Sequence, residues 1–226
     1  MHPDARLRIV ADLSAVSDER LSPRLGVSCA ELTRVRGAAV TVMADAAHRG
    51  VLSASTATAA VLEELQTTLG EGPGIDAHRA GAPVTEPDLA RSSGSRWLAF
   101  CRPALDAGAA AVFAFPLRLG AVGLGVLTLN HDHPGRLTDG QYVDALALCD
   151  VMTHALVAMQ ADAPPGTVAP ALSAVTDDNV EVHQAVGMIA VRFGSSVDEA
   201  LVRLRAMAYV ADRPLVDVAR DVVTRR

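Results

Sequence analysis

The amino-acid sequence predicts an α+β chain, an antiparallel sheet flanked by helices followed by a small three-helix unit. Three observations carry this expectation. Residues 110–119 and 123–130 are β-rich runs joined across Gly120 and Gly123, the strongest strand-turn-strand pattern in the chain. An uncharged stretch rich in proline and small residues fills positions 163–176, the composition of an interdomain connection. Beyond it, helix-start residues and apolar stripes recur in quick succession.

Taken in order, Ser22 and Pro23 supply a cap and a first-turn proline for a helix with Leu25, Cys29 and Leu32 on one stripe. Residues 37–44 and 51–55 are β-capable runs separated by turn residues 45–50, a predicted hairpin. Residues 56–69 read as a helix with Val61, Leu62, Leu65 and Leu69 inside. Gly70-Glu71-Gly72-Pro73-Gly74 ends it and opens a loop-rich region through Pro83, Pro87 and residues 91–96, before a short amphipathic helix over 97–105. After the central hairpin, a long helix starts at Thr138. Its Ala145, Leu148, Met152, Ala155 and Met159 form a seam suited either to a dimer or to the back of the sheet.

In the C-terminal unit the first helix starts near Asn179, carries Val182, Val186, Ile189 and Phe193 on its stripe, and stops near Gly194. Ser196 and Glu199 have the spacing of a capping box for the second helix, which buries Ala200, Leu201, Leu204 and Ala208. Pro214 opens the third, with Leu215, Val218, Ala219 and Val222 inside. The predicted divisions are residues 1–162, a linker over 163–178, and residues 179–226.

The 226 residues carry 20 basic and 26 acidic side chains, a formal charge of -6, and lysine is absent. The segment from Ala171 has seven arginines and eight acidic residues, so any surface for a polyanion must be local. Cys29, Cys101 and Cys149 are odd in number and widely spaced, against a disulfide scaffold or a clustered metal site, and predict a reducing, cytoplasmic compartment. Charges run through the first twenty positions, and no other uncharged run reaches the about 18 apolar residues of a spanning helix, so secretion and membrane insertion are not expected.

No Gly-x-Ser-x-Gly elbow, His-Glu-x-x-His pair or close Cys-His spacing occurs. No catalytic residue, metal ligand or cofactor is assigned, and an enzyme is not expected. The glycine-rich segment 70–74 follows a helix and loses an N–H donor at Pro73, which favours a structural turn over a phosphate loop. Gly120, Gly123 and Gly125 lie between two strands, outside the setting of a dinucleotide fingerprint.

Residues 180–223 resemble the ANTAR family through Gln184, Ala185, Gly187, Glu199, Ala200, Leu204, Arg205, Ala208, Leu215, Val218 and Ala219. Residues 25–159 resemble the GAF half of actinobacterial GAF-ANTAR regulators. The matching segments are Leu-Gln-x-x-Leu-Gly-Glu-Gly-Pro at 65–73, Ala-His-x-x-Gly-x-Pro-Val at 77–84 and Phe-Pro-Leu-Arg at 115–118, in the family's order. Two positions depart from the pattern. Val186 stands where ANTAR helices commonly carry lysine, and Gly74 where these GAF sequences often carry cysteine.

The resemblance implies a transcription antitermination regulator. A GAF-like sensor with a small-molecule or protein effector would control a homodimer whose ANTAR units bind stem-loops of nascent RNA, so that an overlapping terminator hairpin cannot form. Unpaired loop bases can be read by side chains while the stem is gripped through its backbone, so a small helical surface with a few arginines suffices. The candidate RNA-binding residues are Gln184, Ala185, Gly187, Arg192, Arg203, Arg205, Arg213 and Arg220. Arg203 and Arg205, two apart on a helix, point in different directions, so at most one shares a face with Arg192 or Arg220. In the sensor, His78, Trp97, Phe100, Phe113 and Phe115 are candidate ligand-lining residues, and core packing explains the four aromatics equally well. The long helix ending near Met159 is the expected transmitter. Two other classes remain open, a helix-turn-helix DNA-binding regulator and a protein-interaction module whose ANTAR unit has lost RNA binding.

Overall fold

The computed structural model describes residues 23–43, 49–92, 95–161 and 180–224, together with Leu7, Ile9, Ala11 and Ala169. Ser22, the turn at 44–48, Ser93, Gly94, Asn179 and the linker 163–178 apart from Ala169 lie outside the described residues.

Five strands form one antiparallel sheet: β1 (Gly37–Met43), β2 (Arg49–Ala54), β3 (Val84–Glu86), β4 (Ala111–Leu119) and β5 (Val122–His131), in the order β2-β1-β5-β4-β3. The predicted central hairpin is β4 and β5, closed by Leu119 opposite Val122 with Gly120 at a left-handed φ of 59° in the turn. Around the sheet lie α1 (Pro23–Thr33), α2 (Ala57–Leu69), α3 (Pro73–Ala80), α4 (Leu89–Ser92), α5 (Cys101–Asp106) and α6 (Asp139–Ala161). The C-terminal unit is α7 (Val180–Phe193), α8 (Val197–Ala211) and α9 (Leu215–Thr224).

Alternation along the strands divides the sheet into two unlike faces. Ala38, Val40, Phe113, Phe115, Leu117, Leu127 and Leu129 join Leu25 and Cys29 of α1 and Ala145, Leu148, Met152 and Leu156 of α6 in the largest core. The seam on α6 therefore serves the back of the sheet. Ala169 of the linker is buried in the same core, and its N–H donates to Gln160. α6 is long and apolar enough to cross a membrane by length and composition, but its inner face is the wall of this core. The opposite face, with Thr41, Met43, Val112, Ala114, Val126, Thr128 and Asn130, lies under α2, α3 and α5.

The predicted loop region contains more order than its composition suggested. α3 begins at Pro73, where the ring pre-sets φ at a position whose N–H needs no partner in the helix, and ends at Gly81 in the left-handed region. The short strand β3 pairs with β4 beyond it. On α2 the inward residues are Ala59, Leu62, Glu63 and Gln66, whereas Val61 is exposed. Leu62, Leu65 and Leu69 of the expected stripe do face the core, and Glu63 and Gln66 share that inner side with them.

The C-terminal unit has its own core of Val182, Ala185, Val186, Ile189, Ala200, Leu201, Leu204, Ala208, Leu215, Val218 and Ala219. The capping box is present: Ser196 Oγ accepts from Glu199 N–H and the Glu199 carboxylate accepts from Ser196 N–H. Phe193, expected on the inner stripe of α7, is instead exposed at the helix end.

Leu148 is fully buried between α6 and the sheet. Leu148→Ala is expected to cost about 2–5 kcal/mol of folding stability, measured as a lower urea midpoint, and to leave the mass in light scattering unchanged at protein concentrations where the variant is folded.

Candidate nucleic-acid interface

The eight candidate RNA-binding residues occupy different environments. Gln184 and Gly187 lie on the exposed side of α7, whereas Ala185 is 0% exposed. Ala185 is a core residue whose small side chain lets the helices approach, and it cannot touch a ligand at the surface. Val186 is 3% exposed and packs beside it. Valine at 186 therefore completes the core on this face.

The five arginines separate by partner. Arg220 binds the Glu181 carboxylate through Nε and Nη2, both at 3.1 Å, and also Asp217 at 3.1 Å. Arg213 meets Asp221 at 2.7 Å. Hydrogen bonding to these carboxylates raises the pKa of both guanidinium groups. Arg192 and Arg203 have no ion pair among the described residues, and both lie against the ring of Phe193, with Cζ 5.8 Å and 5.0 Å from its centroid. Arg203 and Arg205 do diverge, as their spacing on the helix requires.

Arg205 turns to the sheet domain. Its guanidinium lies over Gly70, the left-handed C-cap of α2, so close that a Cβ there would come within 2.7 Å of Nη1. A cation at a helix C-terminus is favoured by the exposed carbonyls of the last turn. A second contact runs the other way. The N–H of Leu215, unpaired within α9 because it opens the helix, donates to Thr68 Oγ1 at 3.3 Å, and Thr68 donates to Glu64 at 3.0 Å. Two adjoining cavities of about 250 Å³ and 350 Å³ lie along this junction, with Thr68, Leu69, Ala99 and Tyr209 in the walls of both.

Residues to which the sequence assigns no role of their own hold α2 in place. Gln66, fully buried, accepts from Gly74 N–H at 2.6 Å and donates to Glu63 Oε1 at 2.9 Å, while Glu63 Oε2 accepts from Thr41 at 2.7 Å. Glu71 accepts from the N–H groups of Ala99 and Phe100 at 2.7 Å and 3.0 Å, and Asp76 accepts from Arg96 and Trp97 Nε1. The glycine-rich segment is thus a structural turn. A Cβ at position 74 would lie 2.9 Å from Gln66 Oε1, so a cysteine there requires Gln66 to shift.

The five candidate ligand-lining residues are not brought together. Phe113 and Phe115 point into the core beneath α1 and α6, whereas Trp97 and Phe100 pack edge to face in a separate cluster with Leu62, Leu89 and Val112. The reason is the strand period of two, which sends residues 113 and 115 to the face opposite Val112. His78 lies over Gly123, where a Cβ would approach its Cε1 to 2.8 Å. The polar face of the sheet is elsewhere, at Thr41, Thr128 and Asn130. Thr128 Oγ1 and Asn130 Nδ2 are buried and have no hydrogen-bond partner among the described residues. Only their positions at alternate sites on β5 could have marked them in the sequence.

Two outcomes follow from these contacts. Gln66→Leu removes the acceptor of the Gly74 N–H and a donor to Glu63, and is expected to cost about 1–3 kcal/mol for the orphaned N–H, read as a lowered melting temperature. Burial, then the charges of Glu86 and Glu71, push the Cys101 thiol up to about 11, and burial raises Cys149 as well. A raised pKa keeps the neutral thiol up to higher pH, so at pH 8 both are expected to resist iodoacetamide until the chain is unfolded in urea.

Residues 171–223 match the family model of the ANTAR domain. No curated protein matches the chain. Among solved structures, the GAF domain of the Acinetobacter phosphoenolpyruvate-protein phosphotransferase is similar at a TM-score of 0.52 and 13% identity, over 73% of this chain and 99% of that one. The GAF domain of the Coxiella burnetii phosphoenolpyruvate-protein phosphotransferase gives a TM-score of 0.49 at 12% identity, over 71% and 98%. At such identities the likeness concerns the fold. The chain therefore joins a sheet domain of GAF fold to an ANTAR domain at residues 171–223.

Proposed function

We propose that the protein is a cytoplasmic transcription antitermination regulator, in which a sensory unit over residues 1–162 controls an RNA-binding unit over residues 179–226 joined by the linker 163–178. The match of residues 171–223 to the ANTAR domain carries this reading. It acts as a homodimer on stem-loops of a nascent transcript, has no enzymatic role, and takes a small-molecule or protein effector at the GAF-fold domain. Thr128 Oγ1 and Asn130 Nδ2, buried and without a hydrogen-bond partner among the described residues, offer an effector polar groups that the phenylalanines lack.

Control runs through α2. The same helix carries Glu63 and Gln66 at the polar face and Thr68 and Gly70 at the junction. In the docked state Arg205 is withheld from RNA. An effector that moves α2 weakens docking and shifts the population toward a released RNA-binding unit. This assigns transmission to α2 in place of α6.

The rival readings have less support. For a DNA-reading last helix, Arg213 and Arg220 of the α9 region are already neutralised by Asp221, Asp217 and Glu181. A degenerate unit was suggested by Val186, but that side chain is buried in the three-helix core.

The test is retention of hairpin RNA against duplex DNA of matched length across a salt series. RNA is expected to bind more tightly, and Thr68→Val, which removes the acceptor for Leu215 without altering the ANTAR domain, is expected to raise RNA affinity several-fold. Absence of RNA binding by both proteins would overturn the reading.

A further inference from the structure

We propose that Phe193, held between Arg192 and Arg203, is a stacking platform for one unpaired base of an RNA loop. The inference rests on the RNA-binding reading and adds to it a specific subsite.

Phe193 ends α7 and is 57% exposed, immediately before Gly194, whose left-handed φ of 61° turns the chain toward α8. The cores of the ANTAR domain are complete without it. An aromatic ring left in water at a helix end is a cost in the free protein, and a second flat apolar surface would remove that cost.

The charge around the ring is unusual for this domain. Arg213 and Arg220 are engaged by carboxylates, and Arg205 is docked on Gly70. Arg203 has a natural helix partner in Glu199, four residues earlier, but Glu199 turns back to accept from Ser196 N–H. Arg192 and Arg203 are thus left facing the ring, each within the distance of a cation–π contact. They concentrate positive potential beside the one exposed aromatic side chain at this turn. A nucleotide meets both demands at once, with a base to lie on Phe193 and a phosphate for the guanidinium groups. A duplex offers no free base face, so the ligand is a looped or single-stranded segment.

The experiment uses the full chain, as wild type and as Thr68→Val, and a pool of RNA hairpins with one stem and a randomised loop. Phe193→Ala is expected to weaken binding of the retained hairpins by about tenfold or more, with an unchanged salt slope. Phe193→Trp should retain binding and show indole quenching on addition of RNA, beyond any change in a Trp97-only control. Arg203→Ala should instead lower the salt slope by about one unit. An unchanged thermal melt for each variant separates these effects from unfolding. If the wild type retains hairpins and Phe193→Ala retains them equally well, the platform is wrong and the RNA-binding reading stands. If neither wild type nor Thr68→Val retains any hairpin, the RNA-binding reading fails and the platform fails with it.

Discussion

The carboxamide of Gln66 is the interaction on which most of the arrangement depends. It is buried, its oxygen accepts from the Gly74 N–H at the start of α3, and its nitrogen donates to Glu63, which in turn accepts from Thr41 on β1. One side chain therefore ties a helix to the sheet and to the next helix. A buried carboxylate is tolerable only when its oxygens are hydrogen-bonded, and here both are. The glycines at 72 and 74 belong to the same constraint, since a Cβ at either would enter the space of the amide. By setting the path of the turn, Gln66 also sets where Gly70 meets Arg205 and where Glu71 meets the backbone at Ala99 and Phe100.

The junction between the domains is made by helix ends. Arg205 serves the carbonyl end of α2, and Thr68 of α2 serves the N–H end of α9. Contacts of this kind contribute only about 1 kcal/mol each. They define an orientation without making it permanent, and a small displacement of α2 alters both at the same time. Such a contact is suited to a shift between populations that an effector of ordinary affinity can bring about.

Much of this was legible in the sequence where side-chain pattern and local backbone chemistry agree. The β4–β5 hairpin follows from β-rich runs around Gly120, and the capping box follows from Ser196 and Glu199 at the required spacing. Hydrophobic periodicity also marked the inner faces of α8 and α9. On α2 it marked Leu62, Leu65 and Leu69 but placed Val61 inside and missed Glu63 and Gln66, which are buried by partners on β1 and α3 that no local pattern reveals. It failed again at Phe193, which continues the apolar stripe of α7 past the point where other helices cover it. α3 was hidden because proline and glycine punctuate a sequence in the same way whether they end one helix or start the next. Arg205 stands in the sequence as a candidate for RNA, and its neighbour in the fold, Gly70, lies more than a hundred positions away.

The Leu215–Thr68 hydrogen bond bears on how freely such a regulator can exchange parts. A boundary drawn in the linker divides the polypeptide cleanly, yet it leaves the final helix without an acceptor supplied by its neighbour. Recombination that grafts this output module onto a foreign input module succeeds best where the recipient presents a hydroxyl, a carboxylate or water at the matching place. Modularity here is a property of surfaces as much as of gene segments.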